Sequence, residues 1–220
     1  MASVTEENYL KALFILVSER GMATISDLSS LLKVSLPTAN SMIKNLKKQD
    51  LVKYEKYKPL SLTEKGKKEA ALVLRKHRLT EMFLVTKMGF GREVVHEIAE
   101  QIEHIDSAIF FERMDELMGH PTIDPHGSPI PDKNGRVAEE VYEQLSSCKA
   151  GDKVRLIALP HSAADFLKYL NNRDLQLGVE MEVVSVGPFD GSMVISYPNH
   201  PAETLTRAVC ERLKVEQVRK

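Results

Sequence analysis

A proline- and glycine-rich segment, residues 119–132, divides this chain into two parts that differ in hydrophobic periodicity. It contains four prolines and two glycines, and because proline fixes φ and lacks an amide hydrogen, no continuous helix is expected through it. Before the segment, apolar residues recur at helical spacing almost throughout. After it, apolar runs at 154–157, 179–186 and 193–195 predict strands, and residues 163–170 predict a helix. The predicted fold class is therefore mainly α with a small β domain.

Charge is distributed unevenly along the chain, although the formal net charge is −1. Residues 33–78 contain 13 Lys and Arg but 4 Asp and Glu, whereas residues 79–144 contain 5 Lys and Arg but 14 Asp and Glu. A dense basic segment attracts polyanions because their binding releases condensed counterions. The first of these segments is thus a candidate for binding nucleic acid in spite of the neutral total.

The composition also indicates where the protein works. No apolar run approaches the ~20 residues that a membrane span needs, and the start lacks the basic and apolar regions of a signal peptide. The two cysteines are too few for a disulfide framework or a cysteine-rich zinc site. These features predict a cytoplasmic protein with no membrane partner.

The first third of the sequence has the pattern of a winged helix-turn-helix. Residues 24–32 predict one helix, and residues 36–48 predict a second, capped by Ser35 and expected to bury Leu36, Ala39, Ile43 and Leu46. Two short strands within residues 51–63 then form a basic wing. In this motif the second helix presents its first residues to base edges, and the wing meets phosphates. The alternative is a helical domain with no nucleic-acid partner.

The candidate DNA-binding residues are the outward-facing positions of the second helix and the lysines of the wing. They are Ser35, Pro37, Thr38, Asn40, Ser41, Lys44, Lys56 and Lys58.

The acidic segment contains possible metal ligands at helical spacing. On one continuous helix, four side chains at i, i+4, i+7 and i+8 project from the same face; they are His96, Glu100, Glu103 and His104. His77 and Glu81 lie four residues apart on an earlier predicted helix. Burying carboxylates together is costly unless a cation or proton neutralises them, so the alternative is a solvated acidic face.

Carboxylate and imidazole donors without thiolate suit Mn²⁺ or Fe²⁺, whereas the general stability order lets Zn²⁺, Ni²⁺ or Co²⁺ substitute in vitro. A catalytic di-metal bundle needs a Glu-x-x-His motif on each of two helices. Here Glu103 and His104 are adjacent and the motif has no second copy. The chain is therefore not expected to be an enzyme, and a metal-storage or hydrolytic protein is the less favoured alternative.

In combination these motifs resemble the diphtheria-toxin-repressor family of metal-dependent transcriptional repressors. The resemblance rests on the winged helix, Arg75-Lys76-His77-Arg78-Leu79 followed by Glu81, His96-x3-Glu100-x2-Glu103-His104, and Pro129-Ile130-Pro131. Iron-responsive members typically have cysteine at the position of Glu100. A glutamate at this position resembles the manganese transport regulator branch. The strand-rich end resembles, more loosely, that family's Src-homology-3-like, iron-transport-protein-A-like domain.

The resemblance implies a homodimer that binds a palindromic operator in double-stranded DNA when Mn²⁺, or alternatively Fe²⁺, is bound, and that controls metal uptake genes. It implies a winged helix-turn-helix at residues 1–73, a helical dimerisation and metal-binding domain with the Pro-rich linker at 74–140, and the Src-homology-3-like barrel at 141–220. The competing hypothesis is a winged-helix regulator that responds to a non-metal effector.

The resemblance also implies two metal sites. By matching positions, the primary site would use Asn8, Glu100, Glu103 and His104. The ancillary site would use His77, Glu81 and His96, with Asp124, His126 and Asp165 as further ligands. Position 8 usually holds Met or Asp in this family, and Asn8 offers a neutral carbonyl oxygen, which leaves room for Glu7 or a water.

Overall fold

The computed structural model describes residues 3–56, 58–138, 142–159 and 163–218. The helices are α1 (Val4–Arg20), α2 (Ile25–Leu31), α3 (Leu36–Lys48), α4 (Glu64–Met88), α5 (Val95–Ile102), α6 (Ala108–Leu117), α7 (Ala164–Asn171) and α8 (Arg207–Cys210). The strands are β1 (Val52–Lys53), β2 (Ser61–Leu62), β3 (Glu143–Gln144), β4 (Lys153–Ala158), β5 (Glu180–Val186), β6 (Met193–Tyr197), β7 (His200–Leu205) and β8 (Lys214–Gln217). Across the described ranges, no helix combines the length and the apolar character needed to cross a bilayer.

The chain forms two compact units. The first comprises Met1–Thr80, Glu97–Thr122 and Ile130–Ala138, and the second comprises Glu81–His96, Ile123–Pro129 and Glu139–Lys220. The boundary predicted between residues 140 and 141 lies outside the described residues, and the division into three functional domains stays a prediction.

The helix-turn-helix of the first unit begins at well-formed caps. The Thr24 hydroxyl accepts a hydrogen bond from the Asp27 amide at the start of α2 (3.1 Å), and the Ser35 hydroxyl accepts one from the Thr38 amide at the start of α3 (3.2 Å). Such caps satisfy amides that have no partner inside the helix. The predicted cap at Ser35 is confirmed, and Pro37 lies in the first turn of α3, where its missing amide hydrogen is not needed.

The prediction for the buried face of α3 is partly wrong. Ala39, Ile43 and Leu46 are fully buried, but Leu36 is 53% exposed. Side chains of an α-helix lean toward the N-terminus and cover the preceding turn. Because Leu36 begins α3, no helical turn precedes it for its side chain to cover, and the side chain is left largely exposed.

The wing and α4 are packed closely together. β1 and β2 pair antiparallel, with Val52 opposite Leu62, and Thr63 caps α4 by accepting a hydrogen bond from the Gly66 amide (3.0 Å). A Cβ atom at Gly66 would lie 1.9 Å from the Leu51 carbonyl oxygen, so this contact requires glycine. The wing strands and the following helix are thus held in one arrangement.

The second unit contains an antiparallel six-stranded sheet in the order β3-β8-β4-β5-β6-β7. The three predicted strands correspond to β4, β5 and β6, and the predicted helix corresponds to α7. Strands β7 and β8 were missed because they are largely polar and bury mainly Leu205 and Val215, which leaves little apolar periodicity to recognise. A helical region followed by a small β domain confirms the predicted fold class.

Candidate metal centre and nucleic-acid interface

The predicted DNA-reading surface of α3 is accessible. Ser35, Pro37, Thr38, Ser41 and Lys44 are exposed, and Asn40 is half-buried. The Ser35 and Thr38 hydroxyls are also hydrogen-bonded to each other (2.8 Å), so part of their hydrogen-bonding capacity stabilises the helix start. Lys44 is exposed in the middle of the same helix.

The wing is attached to α3 by two side-chain hydrogen bonds. The Lys47 ammonium donates to the Tyr54 carbonyl (2.8 Å), and the Tyr54 hydroxyl donates to Asn40 Oδ1 (3.3 Å). Lys56 and Lys58 are exposed beyond this attachment. Because these two hydrogen bonds tie the wing to α3, the exposed basic groups of the two elements are held in one arrangement.

A cluster of polar side chains joins the start of α1 to α4 and to the end of α5. We call it the α1–α5 cluster, and its residues are Glu7, Asn8, Lys11, His77, Glu100, Glu103 and His104. The expectation that Glu103 and His104 lie on the same helix as His96 is wrong, because α5 ends at Ile102 and both residues belong to the turn that follows. The Glu103 amide still donates to the Ala99 carbonyl (2.9 Å), so this turn continues the path of the helix.

Glu103 is the most buried acid of the α1–α5 cluster, with a side chain that is 0% exposed. Its carboxylate accepts hydrogen bonds from the Lys11 ammonium at 2.7 and 2.9 Å and from His77 Nδ1 at 2.5 Å. Lys11 also donates to Glu100 Oε1 (2.5 Å). An isolated carboxylate is not buried at such a position without a compensating positive charge, and here the lysine supplies that charge.

The ring nitrogens of His104 have different environments. Nδ1 is 2.6 Å from Glu7 Oε2, and since an ionised carboxylate accepts, Nδ1 donates to it. Nε2 is buried, has no hydrogen-bond partner among the described residues and lies 3.4 Å from Glu103 Oε1. In the tautomer with its only proton on Nδ1, Nε2 would offer a lone pair to a cation. Metal-binding histidines commonly have such a carboxylate on the opposite nitrogen, which fixes the tautomer.

The cluster also contains a second buried polar atom without a hydrogen-bond partner among the described residues. The side-chain oxygen of Asn8, one residue along α1 from Glu7, is buried and has no hydrogen-bond partner in the described part of the chain. Two buried polar atoms without hydrogen-bond partners, beside the buried carboxylate of Glu103 and the partly exposed carboxylate of Glu100, form an environment that a cation would satisfy. The residues present therefore fit a divalent metal bound by oxygen and imidazole nitrogen.

Sequence reasoning did not assign Lys11 and considered Glu7 only as a substitute ligand. The signal that could have indicated them is their spacing on α1, where Glu7 and Lys11 lie one helical turn apart beside Asn8.

A second cluster lies within the second unit and includes part of the Pro-rich segment. We call it the linker cluster, and it consists of Glu81, His96, Asp124 and His126. Ligand atoms of Glu81, Asp124 and His126 lie within 4.8 Å of one another, and all three residues are buried. His96 is more exposed, with Nδ1 3.3 Å from Glu81 Oε1. These four residues were predicted for the ancillary site.

Local hydrogen bonds set the geometry of the linker cluster. Asp124 Oδ1 accepts from the amides of His126 (2.8 Å) and Ser128 (2.9 Å), which closes the loop. Gly127 has φ +86, and a Cβ there would lie 2.1 Å from the Ile157 carbonyl oxygen. Only glycine permits this approach, so the loop that carries Asp124 and His126 is fixed against β4.

The orientation of the His126 ring leaves a nitrogen facing an acid. Nε2 is 3.2 Å from the Arg92 carbonyl oxygen, to which it donates, and Nδ1 lies 3.7 Å from Glu81 Oε2. Burial favours the neutral ring, but hydrogen bonding to Glu81 and the charges of Glu81 and Asp124 outweigh it and raise the pKa of His126. A proton or a metal ion between Nδ1 and the acids would stabilise this arrangement.

Two other predicted ligands have surroundings of their own. His77, predicted for the ancillary site, donates a hydrogen bond to Glu103 of the α1–α5 cluster, and ligand atoms of His77 and Glu100 lie within 4.8 Å of each other. Asp165 is exposed near the start of α7, and within the described ranges it is not among the residues whose ligand atoms are brought together. The structure therefore does not bring Asp165 into the linker cluster.

Three family models match the chain in order. The first, described as "Iron dependent repressor, N-terminal DNA binding domain", matches residues 1–60. The second, "Iron dependent repressor, metal binding and dimerisation domain", matches residues 63–132, and a "FeoA domain" matches residues 143–217.

Individual relatives agree with these matches. The chain is 30% identical to the iron-dependent repressor IdeR of Mycobacterium tuberculosis (strain H37Rv), with 97% of each chain covered. It is 34% identical to the transcriptional regulator MntR of Geobacillus thermodenitrificans over 54% of this chain and 83% of the relative. A solved structure described as a manganese-dependent transcriptional repressor in complex with manganese superposes with a TM-score of 0.87 at 27% identity, covering 96% of this chain and 99% of that chain.

These relatives are transcriptional regulators, which confirms the prediction that the chain is not an enzyme. The three family models and the near-complete alignment with a repressor of 30% identity indicate the same family. The chain therefore belongs to the iron-dependent repressor family of metal-dependent transcriptional repressors.

Proposed function

We propose that this protein is a cytoplasmic homodimer that represses metal uptake genes by binding a palindromic operator when Mn²⁺, or alternatively Fe²⁺, is bound. The observation that carries this proposal is the α1–α5 cluster. There, the fully buried carboxylate of Glu103 and the partly exposed carboxylate of Glu100 lie together with two buried atoms that have no hydrogen-bond partner among the described residues, Asn8 Oδ1 and His104 Nε2.

Asn8, Glu100, Glu103 and His104 are the proposed ligands of the primary site. Glu81, His96, Asp124 and His126 are the proposed ligands of the second site. His77, beside Glu100 and Glu103, and Asp165, near the start of α7, are proposed as further ligands. Oxygen and imidazole donors suit Mn²⁺ and Fe²⁺, and the manganese complex of a structural relative supports Mn²⁺ first. Zn²⁺, Ni²⁺ and Co²⁺ are expected to substitute in vitro.

A hydrogen-bonded route connects the metal ligands of α1 to the reading helix. Glu6 precedes Glu7 and Asn8, and its Oε1 accepts hydrogen bonds from Asn45 (2.8 Å) and Gln49 (2.5 Å) at the end of α3. Hydrogen bonds from the Ser3 amide and the Gln49 side chain hold the pKa of Glu6 below its ordinary value, so it is ionised at neutral pH. The position of the α1 start is thereby linked to that of α3.

When bound, the metal supplies the positive charge that joins α1 to the Glu103–His104 turn. Because Glu6 ties that part of α1 to α3, fixing α1 also restricts the reading helix. A metal favours DNA binding only to the extent that it binds the DNA-competent arrangement better than the others, and DNA must strengthen metal binding by the same factor.

The exposed face of α6 supports a dimer. This helix buries Phe111 and Met114, but Ile109 is 76% exposed and Leu117 is 49% exposed. Exposed apolar side chains grouped on one helix mark an interaction surface, and the matching family model includes dimerisation in its description. We infer that α6 pairs with α6 of a second copy, which places two reading helices for half-sites ~34 Å apart.

The direct test is DNA binding at buffered concentrations of free Mn²⁺ and Fe²⁺ under anaerobic conditions. The probe is a fluorescent duplex selected from a random pool with the Mn²⁺-loaded protein. Binding should rise with free metal and reverse on addition of a chelator, and the lower midpoint identifies the preferred metal. Binding that persists in excess chelator would instead support a regulator with a non-metal effector.

Lys44→Ala should weaken binding to all DNA sequences similarly, because an exposed lysine in the middle of α3 is placed to contact phosphate rather than a base edge. The slope of log K against log salt concentration should fall by about one unit. Fluorescence anisotropy at several salt concentrations measures this slope. Lys168→Ala, at an exposed position of α7, is the control and should leave the slope unchanged; a sequence-dependent loss in Lys44→Ala would argue against a phosphate contact.

A further inference from the structure

We propose that the Lys11 ammonium is a built-in competitor of the metal. In the metal-free protein it neutralises Glu100 and Glu103, and a divalent ion must displace it from their oxygens. Lys11 then sets the metal concentration at which the repressor responds. This inference rests on the proposed function, in which both glutamates are metal ligands.

The position of the Lys11 ammonium is unusual for a lysine. Nζ lies 2.5 Å from Glu100 Oε1 and 2.7 and 2.9 Å from the two oxygens of Glu103, and the Lys11 side chain is 8% exposed. Lysines normally bury only their hydrocarbon stem and keep the ammonium in water. Here the three close oxygens match the three N–H donors of an ammonium, so the charged end itself is buried in the cluster.

The ammonium and a metal would need the same lone pairs. Glu103 Oε1 accepts from Lys11, and Glu103 Oε2 accepts from both Lys11 and His77. A divalent ion on either oxygen would lie close to the ammonium, and the repulsion between two cations is strong where water is excluded. Metal binding therefore requires Lys11 to move away or to remain at an energetic cost, and both lower the apparent metal affinity.

Lys11 also explains how the cluster is tolerated without metal. Glu103 is fully buried, and without an opposite charge its carboxylate would be destabilising. The pairing joins residues 92 positions apart in the sequence, so it holds α1 to the turn after α5. Lys11 is thus a positioning residue of the metal-free state, on the same helix as the proposed ligand Asn8.

The test compares Lys11→Met with the wild-type protein. Methionine keeps an unbranched side chain but removes the charge. The metal-free variant should melt at a lower temperature than the metal-free wild-type protein. Far-ultraviolet circular dichroism monitors this unfolding, because the chain contains no tryptophan for fluorescence. Its affinity for Mn²⁺ should rise at least about tenfold, equivalent to about 1.4 kcal/mol. Affinity is measured from the loss of the electron paramagnetic resonance signal of free Mn²⁺.

Matched variants isolate the role of the buried charge. Lys67→Met removes a lysine that pairs with Glu64 on the exposed surface of α4, so it changes net charge equally but should leave Mn²⁺ affinity unchanged. Lys11→Arg keeps the charge and should bind Mn²⁺ no tighter than wild type. Lys11→Gln should bind more tightly, and it tests the same point if the methionine variant does not fold.

Glu103→Gln separates this inference from the proposed function. If that variant loses the primary class of Mn²⁺ sites while Lys11→Met and Lys11→Gln bind no tighter than wild type, the competitor role is overturned and the metal site stands. If Glu103→Gln binds Mn²⁺ as wild type does, the ligand assignment itself is overturned. Weaker Mn²⁺ binding by the neutral Lys11 variants would show that Lys11 assists the metal, which also overturns the inference.

Discussion

Glu103→Gln should abolish the effect of Mn²⁺ on DNA binding. Glutamine has nearly the same shape as glutamate, but it loses the charge and replaces one acceptor oxygen with a donor. Glu103 is fully buried and is hydrogen-bonded to Lys11 and His77, so no other acid of the turn can take its place there. Coupling between two binding sites is typically about 1–3 kcal/mol, and we expect its loss to lower operator affinity at saturating Mn²⁺ roughly 5- to 150-fold.

The measurement is fluorescence anisotropy with the selected duplex at fixed free Mn²⁺. The affinity of the variant for this duplex should equal that of the wild-type protein without metal. Circular dichroism should show the same helix content in the two proteins. His104→Ala should behave in the same way, because it removes the imidazole of a proposed ligand. Glu182→Gln, at an exposed position of β5, is the matched control. A full Mn²⁺ response in Glu103→Gln would contradict the proposed primary site.

Ile109→Asp should dissociate the dimer and with it the high affinity for a palindromic operator. Ile109 is 76% exposed on α6, and a charge there would have to be desolvated between two apolar helix faces, twice in a symmetric dimer. Analytical ultracentrifugation should give a species near the chain mass of 24.8 kDa. Since linked half-site binding raises affinity by about 10²–10⁴, operator affinity should fall on the order of 100-fold.

Phe189→Asp is the control for the dimer prediction. Phe189 is fully exposed in the turn between β5 and β6, so this variant also exchanges an exposed apolar side chain for a charge. It should remain dimeric and bind DNA as wild type does. An Ile109→Asp protein that remains a dimer would locate the interface away from α6.

Local features of the fold could be predicted from the sequence because they depend on neighbours in the chain. Ser35 caps α3 as expected, and Pro37 occupies its first turn. The Pro-rich segment contains turns and a single bridge between Ile123 and Pro129 instead of a helix. Capping, proline geometry and apolar periodicity act over a few residues, and a single sequence contains that information.

The organisation of the α1–α5 cluster could be predicted only in part. Family resemblance named Asn8, Glu100, Glu103 and His104, but the expectation of one continuous helical face placed Glu103 and His104 on a helix that ends before them. Lys11 pairs with Glu100 across 89 positions, and His104 pairs with Glu7 across 97. Neither pairing leaves a trace in local periodicity, because each depends on how α1 packs against the end of α5.

The amino-acid sequence by itself determined the order of the helical and β regions, the helix-turn-helix with its caps, the opposed basic and acidic segments and the family to which the chain belongs. Tertiary structure alone decided that a lysine ammonium lies between Glu100 and Glu103, that Nε2 of His104 is buried without a hydrogen-bond partner among the described residues, and that His126 directs Nδ1 toward Glu81. The physical reason is the separation along the chain over which each interaction acts. Backbone preferences act between neighbours, whereas the charge state and tautomer of a buried group depend on distant residues that packing brings within hydrogen-bonding distance.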